Sequence, residues 1–219
     1  VAMKLTIVTL LGQTTPLFLH ALQELRAHVD DWVVIHSAGV VPPVNVTALV
    51  GRYTGLMDMA ALRTQASQHV REGWVFHLDT DEWFTKVQLA ALRAMVDRMP
   101  LTHNCICLPR HNVVEHIYDL NWPDYRPMVH PAGMVWKYRT HEILVGITQQ
   151  VLAPAELALV HVHDSIPNHE ATYSRVNLTL VQELRPVYDK YKPAFAWDEV
   201  FENIGYQRTL WDLKEKDVC

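Results

Sequence analysis

Short apolar runs alternate along this chain with stretches of helical spacing. Leu5–Leu11 is a continuous, β-branched apolar run closed by Gly12, the pattern of a strand buried on both faces. Thr15-Pro16 signals a helix start, with Leu17, Leu19, Leu22 and Leu25 expected on its apolar side. Trp32–Ile35 reads as a second strand, Pro42-Pro43 as a break, and Gly51–Thr54 as a third strand. Met57–Val70 has helical spacing. Trp74–Leu78 is a fourth strand, and it runs into Asp79-Thr80-Asp81-Glu82. Lys86–Met99 is amphipathic, with Leu89, Leu92 and Val96 on one face, and Cys105–Leu108 is a fifth strand. Residues 111–133 are rich in His, Pro, Asn, Asp and aromatics and read as an ordered loop or lid. Met134–Tyr138 and Leu157–Val162 complete the strands, and Glu170–Tyr191 and Trp197–Lys214 read as terminal helices.

Strands alternating with helices predict an α/β fold, its mostly parallel sheet covered on both faces. Ligands in such sheets sit beyond the carboxyl ends of the strands, where Asp79–Glu82 lies. No repeat or interior linker divides the 219 residues, so a single domain is expected over 1–219, with C-terminal helices from about 170.

Composition narrows the class. A 49% hydrophobic and 20% charged chain is globular rather than disordered. The formal net charge of -5 gives no bulk attraction to nucleic acid or anionic lipid. No run approaches the ~18 apolar residues of a membrane span. Cys105, Cys107 and Cys219 form no disulfide framework; the first two face one side of a strand and are badly placed for a bridge. A reducing, cytoplasmic setting is expected. Val1-Ala2 precede Met3 without a signal-peptide pattern, and the end at Lys214–Cys219 has no clear stop, as in one module of a longer polypeptide.

Three groups carry candidate chemistry. Asp79 and Asp81 follow a buried strand at i and i+2, where two carboxylates can converge on Mg²⁺ or Mn²⁺ together with substrate phosphates. The competing reading is a solvated acidic turn that caps the next helix. Trp122-Pro123-Asp124-Tyr125-Arg126 and Gly133–Glu142 set aromatics beside charges, which suits a planar ring or a sugar ring, and Glu142 is a candidate general base, the competing reading being an exposed Glu at a strand end. His161 and His163 point to one side of a strand and could share a metal, although no further ligand stands at a clear spacing. There is no G-x-S-x-G, P-loop or G-x-G-x-x-G.

The order of these motifs resembles glycosyltransferase family 2 enzymes of the GT-A fold, especially the small bacterial members that act on lipopolysaccharide cores. It is similar also to the N-terminal glycosyltransferase domain of a large chlorovirus protein, which would place the chain in an infected host cell. The family's L-D-x-D-E-W/F segment is Leu78-Asp79-Thr80-Asp81-Glu82-Trp83 here. Its A-R-N-x-A helix is Leu62-Arg63-Thr64-Gln65-Ala66, with Thr64 for the Asn. Trp122-Pro123-Asp124-Tyr125, the His141-Glu142 pair and Leu159-Val160-His161 follow in order, so the resemblance covers about residues 4–185. There are departures. The second strand ends in His36-Ser37-Ala38 instead of an acidic base contact, and only Arg126 stands where a basic residue is expected after the Asp-Tyr pair.

The resemblance implies an inverting transfer from a nucleotide-diphosphate sugar, with uridine diphosphate the expected carrier, to a glycan hydroxyl. It places Thr9 near the nucleoside, Arg63 near the diphosphate and Asp79 near the ribose. Asp81 would hold Mn²⁺ or Mg²⁺ with His161, and with Asp79 close by. Glu142 is the first choice of base and Asp124 the second, and Trp122, Tyr125 and Trp136 would shape the sugar or acceptor pocket. Two other readings compete: a nucleotidyltransferase, weakened by the lack of Lys or Arg in Gly12–Pro16, and a non-catalytic sugar-binding domain.

Overall fold

The computed structural model describes residues 3–52, 58–114, 117–118, 122–139, 142–162, 182–187, 189–190 and 204–217. Its organising element is β1 (Leu5–Leu11), buried at every position. A strand apolar on both faces needs cover on both, and the flanking elements supply it. On one face Leu5, Ile7 and Leu11 pack with Phe18, Leu22 and Leu25 of α1 (Pro16–Leu25) and with Leu89, Leu92 and Val96 of α3 (Lys86–Asp97). On the other, Val8 and Leu10 pack with Leu62 and Ala66 of α2 (Met59–His69).

β1 lies between β2 (Asp31–His36) and β4 (Trp74–His77), parallel to both, and β3 (Thr47–Val50) extends the parallel half beyond β2. The other half is mixed. β8 (Asp124–Pro131) runs antiparallel to β4 and to β6 (Cys105–Val114). β12 (Leu159–Val162) lies parallel to β6, and β5 (Glu82–Trp83) is antiparallel to β12. β7 (Ile117–Tyr118) and β11 (Gln150–Leu152) also pair with β6, and β9 (Val135–Lys137) and β10 (Ile143–Val145) form a separate hairpin. The expected mixed, mostly parallel α/β sheet is therefore present.

Several boundaries differ from the pattern-based expectation. The buried stripe of α1 is Phe18, Ala21, Leu22 and Leu25, while Leu19 is 47% exposed. That stripe follows i, i+3, i+4, i+7, whereas Leu17 and Leu19 are two apart and face away from each other. The third strand is Thr47–Val50, not Gly51–Thr54; residues 53–54 lie outside the described ones. The expected loop over 111–133 is mostly strand, because β6 continues through Pro109 to Val114 and β8 pairs with it. Among the terminal residues, 182–187 and 189–190 are helical, and α4 covers Ile204–Asp217. The rest of the two expected C-terminal helices falls outside the described residues. Cys105 and Cys107 are free, buried thiols with Sγ atoms 3.9 Å apart, as expected of core residues.

Gly73 permits the approach to β4. Its φ is +89°, and a Cβ there would lie 2.5 Å from the Lys4 carbonyl, to which the Trp74 N–H donates at 2.8 Å. No helix among the described residues is long and apolar enough to cross a membrane.

Candidate active site

The turn that leaves β4 is where the parallel half of the sheet meets the mixed half. It is not a solvated cap. Thr80, Asp81 and Glu82 are 5%, 7% and 2% exposed, and α3 is capped instead by Thr85 in a reciprocal box with Gln88. Burying acids beside one another costs free energy unless they are paired or bind a cation. Three contacts pin the turn. The Thr15 hydroxyl caps α1 by accepting from Phe18 N and donates to the Thr80 carbonyl at 2.8 Å. The Val162 N–H donates to the Asp81 carbonyl at 2.8 Å, and the Asp79 N–H donates to Glu82 Oε2 at 2.8 Å. Burial pushes the Glu82 carboxyl well above its usual range, and the Asp79 and Asp81 charges add to this.

Two side-chain clusters meet at this turn. In the first, Asp81 Oδ2 lies 3.2 Å from His161 Nε2. β12 brings His161 there through its pairing with β5, in which His161 faces Glu82. On the opposite side of the ring, His161 Nδ1 is 2.8 Å from Asn112 Oδ1 of β6. Asn112 Nδ2 donates to Asp124 Oδ2, which also accepts from Arg110 and Arg126. Burial pushes the Asp124 carboxyl up, but the Arg126 and Arg110 charges and the Asn112 amide outweigh it and leave it below the usual range.

In the second cluster Arg63, 6% exposed on α2, donates through Nη2 to Asp79 Oδ2 and through Nε to Glu142 Oε1, each at 2.6 Å. Its Nη1 lies 3.3 Å from His77 Nδ1. His77 Nε2 is 2.9 Å from His130 Nε2, and His130 Nδ1 is 2.8 Å from the Pro131 carbonyl. The proton positions follow from these partners. The carbonyl requires a proton on His130 Nδ1, so His130 Nε2 accepts from His77 Nε2, and His77 Nδ1 accepts from Arg63. Burial holds both rings neutral: it drives His77 well below its ordinary value and His130 down to about 4.

The structure thus brings together Arg63, Asp79 and Glu142 around one guanidinium, and sets Asp81, His161, Asn112 and Asp124 in one row of polar contacts. It sets Thr9 apart from the expected nucleoside contact. Thr9 is fully buried; its hydroxyl donates to Leu78 O and accepts from Trp32 Nε1, so it ties strands together inside the core. Trp122 is 37% exposed and stacks face to face on His111, with centroids 3.6 Å apart. Tyr125 packs against the Cys105, Cys107, Trp136 and Leu144 cluster and donates to the Ala153 carbonyl. Trp136 is buried against His77 with Arg63 over its ring. His163 lies outside the described residues.

Pattern reading missed Asn112, Arg110, His77 and His130. The i, i+2 run Leu108-Arg110-Asn112 is the available signal for two of them, interrupted in the sequence by Pro109, which strand interiors disfavour.

A cation fits the first cluster. The Asn112 carbonyl requires a proton on His161 Nδ1, which leaves the Nε2 lone pair facing a carboxylate oxygen. Two acceptors at 3.2 Å are reconciled by a cation between them or by a second ring proton. Adjacent ligands of an octahedral ion, each ~2.1 Å from it, stand about 3 Å apart. Among the described residues no three His, Cys, Asp or Glu side chains converge on one metal position, so diphosphate or water oxygens would complete the shell.

No family model matches the chain, and no curated protein matches it in sequence. Among solved structures the fold is similar to that of the mannosyltransferase PcManGT from Pyrobaculum calidifontis in complex with GDP-Man and Mn²⁺. The TM-score is 0.50 at 13% identity, over 86% of this chain and 65% of that one, so the chain spans just under two thirds of its neighbour's length. The likeness is one of fold: a Rossmann-like α/β sheet shared with that mannosyltransferase.

Proposed function

We propose that the protein is a metal-dependent glycosyltransferase that moves a sugar from a nucleoside-diphosphate sugar to a hydroxyl of a glycan acceptor. The observation that carries the proposal is the turn Asp79–Glu82 at the carboxyl edge of the sheet, buried from Thr80 to Glu82, with Asp81 Oδ2 set 3.2 Å from His161 Nε2. The GDP-mannose and Mn²⁺ in the similar structure support it. Bound between Asp81 and His161, Mn²⁺ or Mg²⁺ would supply Lewis-acid stabilisation of the departing diphosphate. The imidazole ligand favours Mn²⁺.

The other residues take roles that fit their contacts. Asp79, oriented by Arg63, binds the ribose hydroxyls. Arg63 itself is committed to two carboxylates, so it positions Asp79 and Glu142 and leaves the diphosphate to the cation. Trp122, stacked on His111 and partly exposed, offers a ring surface for a sugar, whereas Tyr125 and Trp136 pack into the interior cluster with Cys105 and Cys107. The resemblance to family 2 supports a single inverting displacement. The acceptor oxygen bonds to the anomeric carbon, the bond to the diphosphate oxygen breaks, and the acceptor proton passes to a carboxylate. Glu142 suits that last step better than Asp124, whose Oδ2 already accepts from Arg110, Arg126 and Asn112.

The test is a panel of UDP- and GDP-sugars, with and without Mn²⁺, scored by nucleoside diphosphate release. One donor should turn over only with metal, and Asp81→Asn should abolish turnover while the circular dichroism spectrum stays the same. Equal turnover in Asp81→Asn would refute the metal assignment. Metal-independent sugar binding without release from any donor would leave a binding domain.

A further inference from the structure

Asn112 is 5% exposed on the central strand β6 with both amide atoms engaged. In the parallel pairing of β6 with β12 it sits directly beside His161. In the antiparallel pairing of β6 with β8, Asp124 stands opposite Arg110, two residues away on the same face. Three adjacent strands therefore set Asp124, Asn112 and His161 in a row. Ion pairs fix the far end: Arg110 Nη2 lies 2.9 Å from Asp124 Oδ2 and Arg126 Nε 3.1 Å from Asp124 Oδ1.

The chemistry of the row runs in one direction. An ionised carboxylate only accepts, so Asp124 takes the NH₂ side of Asn112 at 3.3 Å. That turns the Asn112 carbonyl oxygen to His161 Nδ1 at 2.8 Å, and a carbonyl accepts only from a protonated nitrogen. The other ring nitrogen then faces Asp81. We propose that Asn112, oriented by Asp124, is a positioning residue that holds His161 with its proton on Nδ1 and presents Nε2 as the metal ligand. The inference rests on the reading of Asp81 and His161 as the cation site. Partners that hold the second nitrogen of a ligating histidine typically change metal affinity about 10- to 100-fold when removed.

Two measurements test it. Long-range ¹H–¹⁵N correlation on the metal-free protein at pH 8 locates the His161 ring proton. A proton on Nδ1 is expected, and a ring protonated at Nε2 alone overturns the proposal without any variant. Mn²⁺ affinity, read by electron paramagnetic resonance with saturating GDP and in parallel UDP, is the second measurement. Asn112→Leu, which has no acceptor, should weaken Mn²⁺ about 10- to 100-fold. The double variant Asn112→Asp/Asp124→Asn exchanges the two side chains, keeps an acceptor toward Nδ1, and should restore binding. Asp81→Asn and His161→Ala check the site itself. If both bind Mn²⁺ as the wild type does, the cation reading falls and the relay with it. If both lose Mn²⁺ while Asn112→Leu binds it as tightly as the wild type, the relay alone is wrong.

Discussion

A buried guanidinium shared by two carboxylates sets the energetics at the residue scale. Arg63 is 6% exposed and tolerable there because Asp79, Glu142 and His77 all face it. Removing one partner of a buried pair strands the other charge, at a cost of about 3–5 kcal/mol. Arg63→Leu should lose stability on that scale in urea unfolding, and a loss below about 1 kcal/mol, the worth of an exposed pair, would show the cluster to be solvated. His130 gives a pH signature. Its folded value of about 4 lies below the ordinary 6.5, so the unfolded chain binds a proton that the folded one refuses. Stability from this ring is therefore full well above pH 6.5 and falls with pH down to about 4, by about 2 kcal/mol between pH 7.5 and 5. His130→Gln, which cannot titrate, should show a shallower loss over that interval. Arg63, Asp79, Asp81, Glu142 and His161 were legible in the sequence because each stands in a short motif. His77, His130 and Asn112 were not, since their partners lie 53 and 49 residues away and only strand pairing brings them close.

At the scale of elements, helix starts were legible and helix faces less so. Thr15 and Thr85 stand where capping chemistry places them, and both cap. Thr15 also tethers the acidic turn through Thr80, which links a cap to the site. Thr15→Ala should cost about 0.5–2 kcal/mol as a lost cap and should also lower activity, because the turn loses one of its anchors. The misread face of α1 came from following leucines instead of angular spacing, and a pair of variants separates the two readings. Leu22→Ala should cost about 2–5 kcal/mol, while Leu19→Ala should stay within about 0.5 kcal/mol, both by urea unfolding. The expected lid at 111–133 is strand for a different reason. Polar and aromatic residues there look like loop chemistry, but they form the inward row of β6 and β8, where Arg110, Asn112 and Asp124 face the site.

Over the whole molecule, topology assembles what no segment holds alone. Asp79 and Asp81 follow β4, His161 comes from β12, Asn112 from β6, Arg63 from α2, and Glu142 from the approach to β10. The α/β class and the position of the acidic turn at the carboxyl edge could be read from alternation alone. The antiparallel insertion of β8 between β4 and β6 could not, because periodicity carries no pairing partner. α4 joins this frame through a fully buried Leu210 and, among the described residues, through polar contacts. Asp212 pairs with Lys137 and with the Tyr138 hydroxyl, and Trp211 lies under Arg139. Partly exposed pairs of that kind hold weakly, so α4 amides should exchange with deuterium well before those of β1 and β4. On the proposed function, the Asp79–Glu82 turn carries the cation that binds the donor diphosphate. The most direct measurement is anomalous diffraction at the manganese edge from crystals grown with Mn²⁺ and GDP or UDP. One peak is expected within coordinating distance of both Asp81 Oδ2 and His161 Nε2, with diphosphate oxygens completing the shell. Bound nucleotide with manganese elsewhere, or with none at this turn, would contradict it.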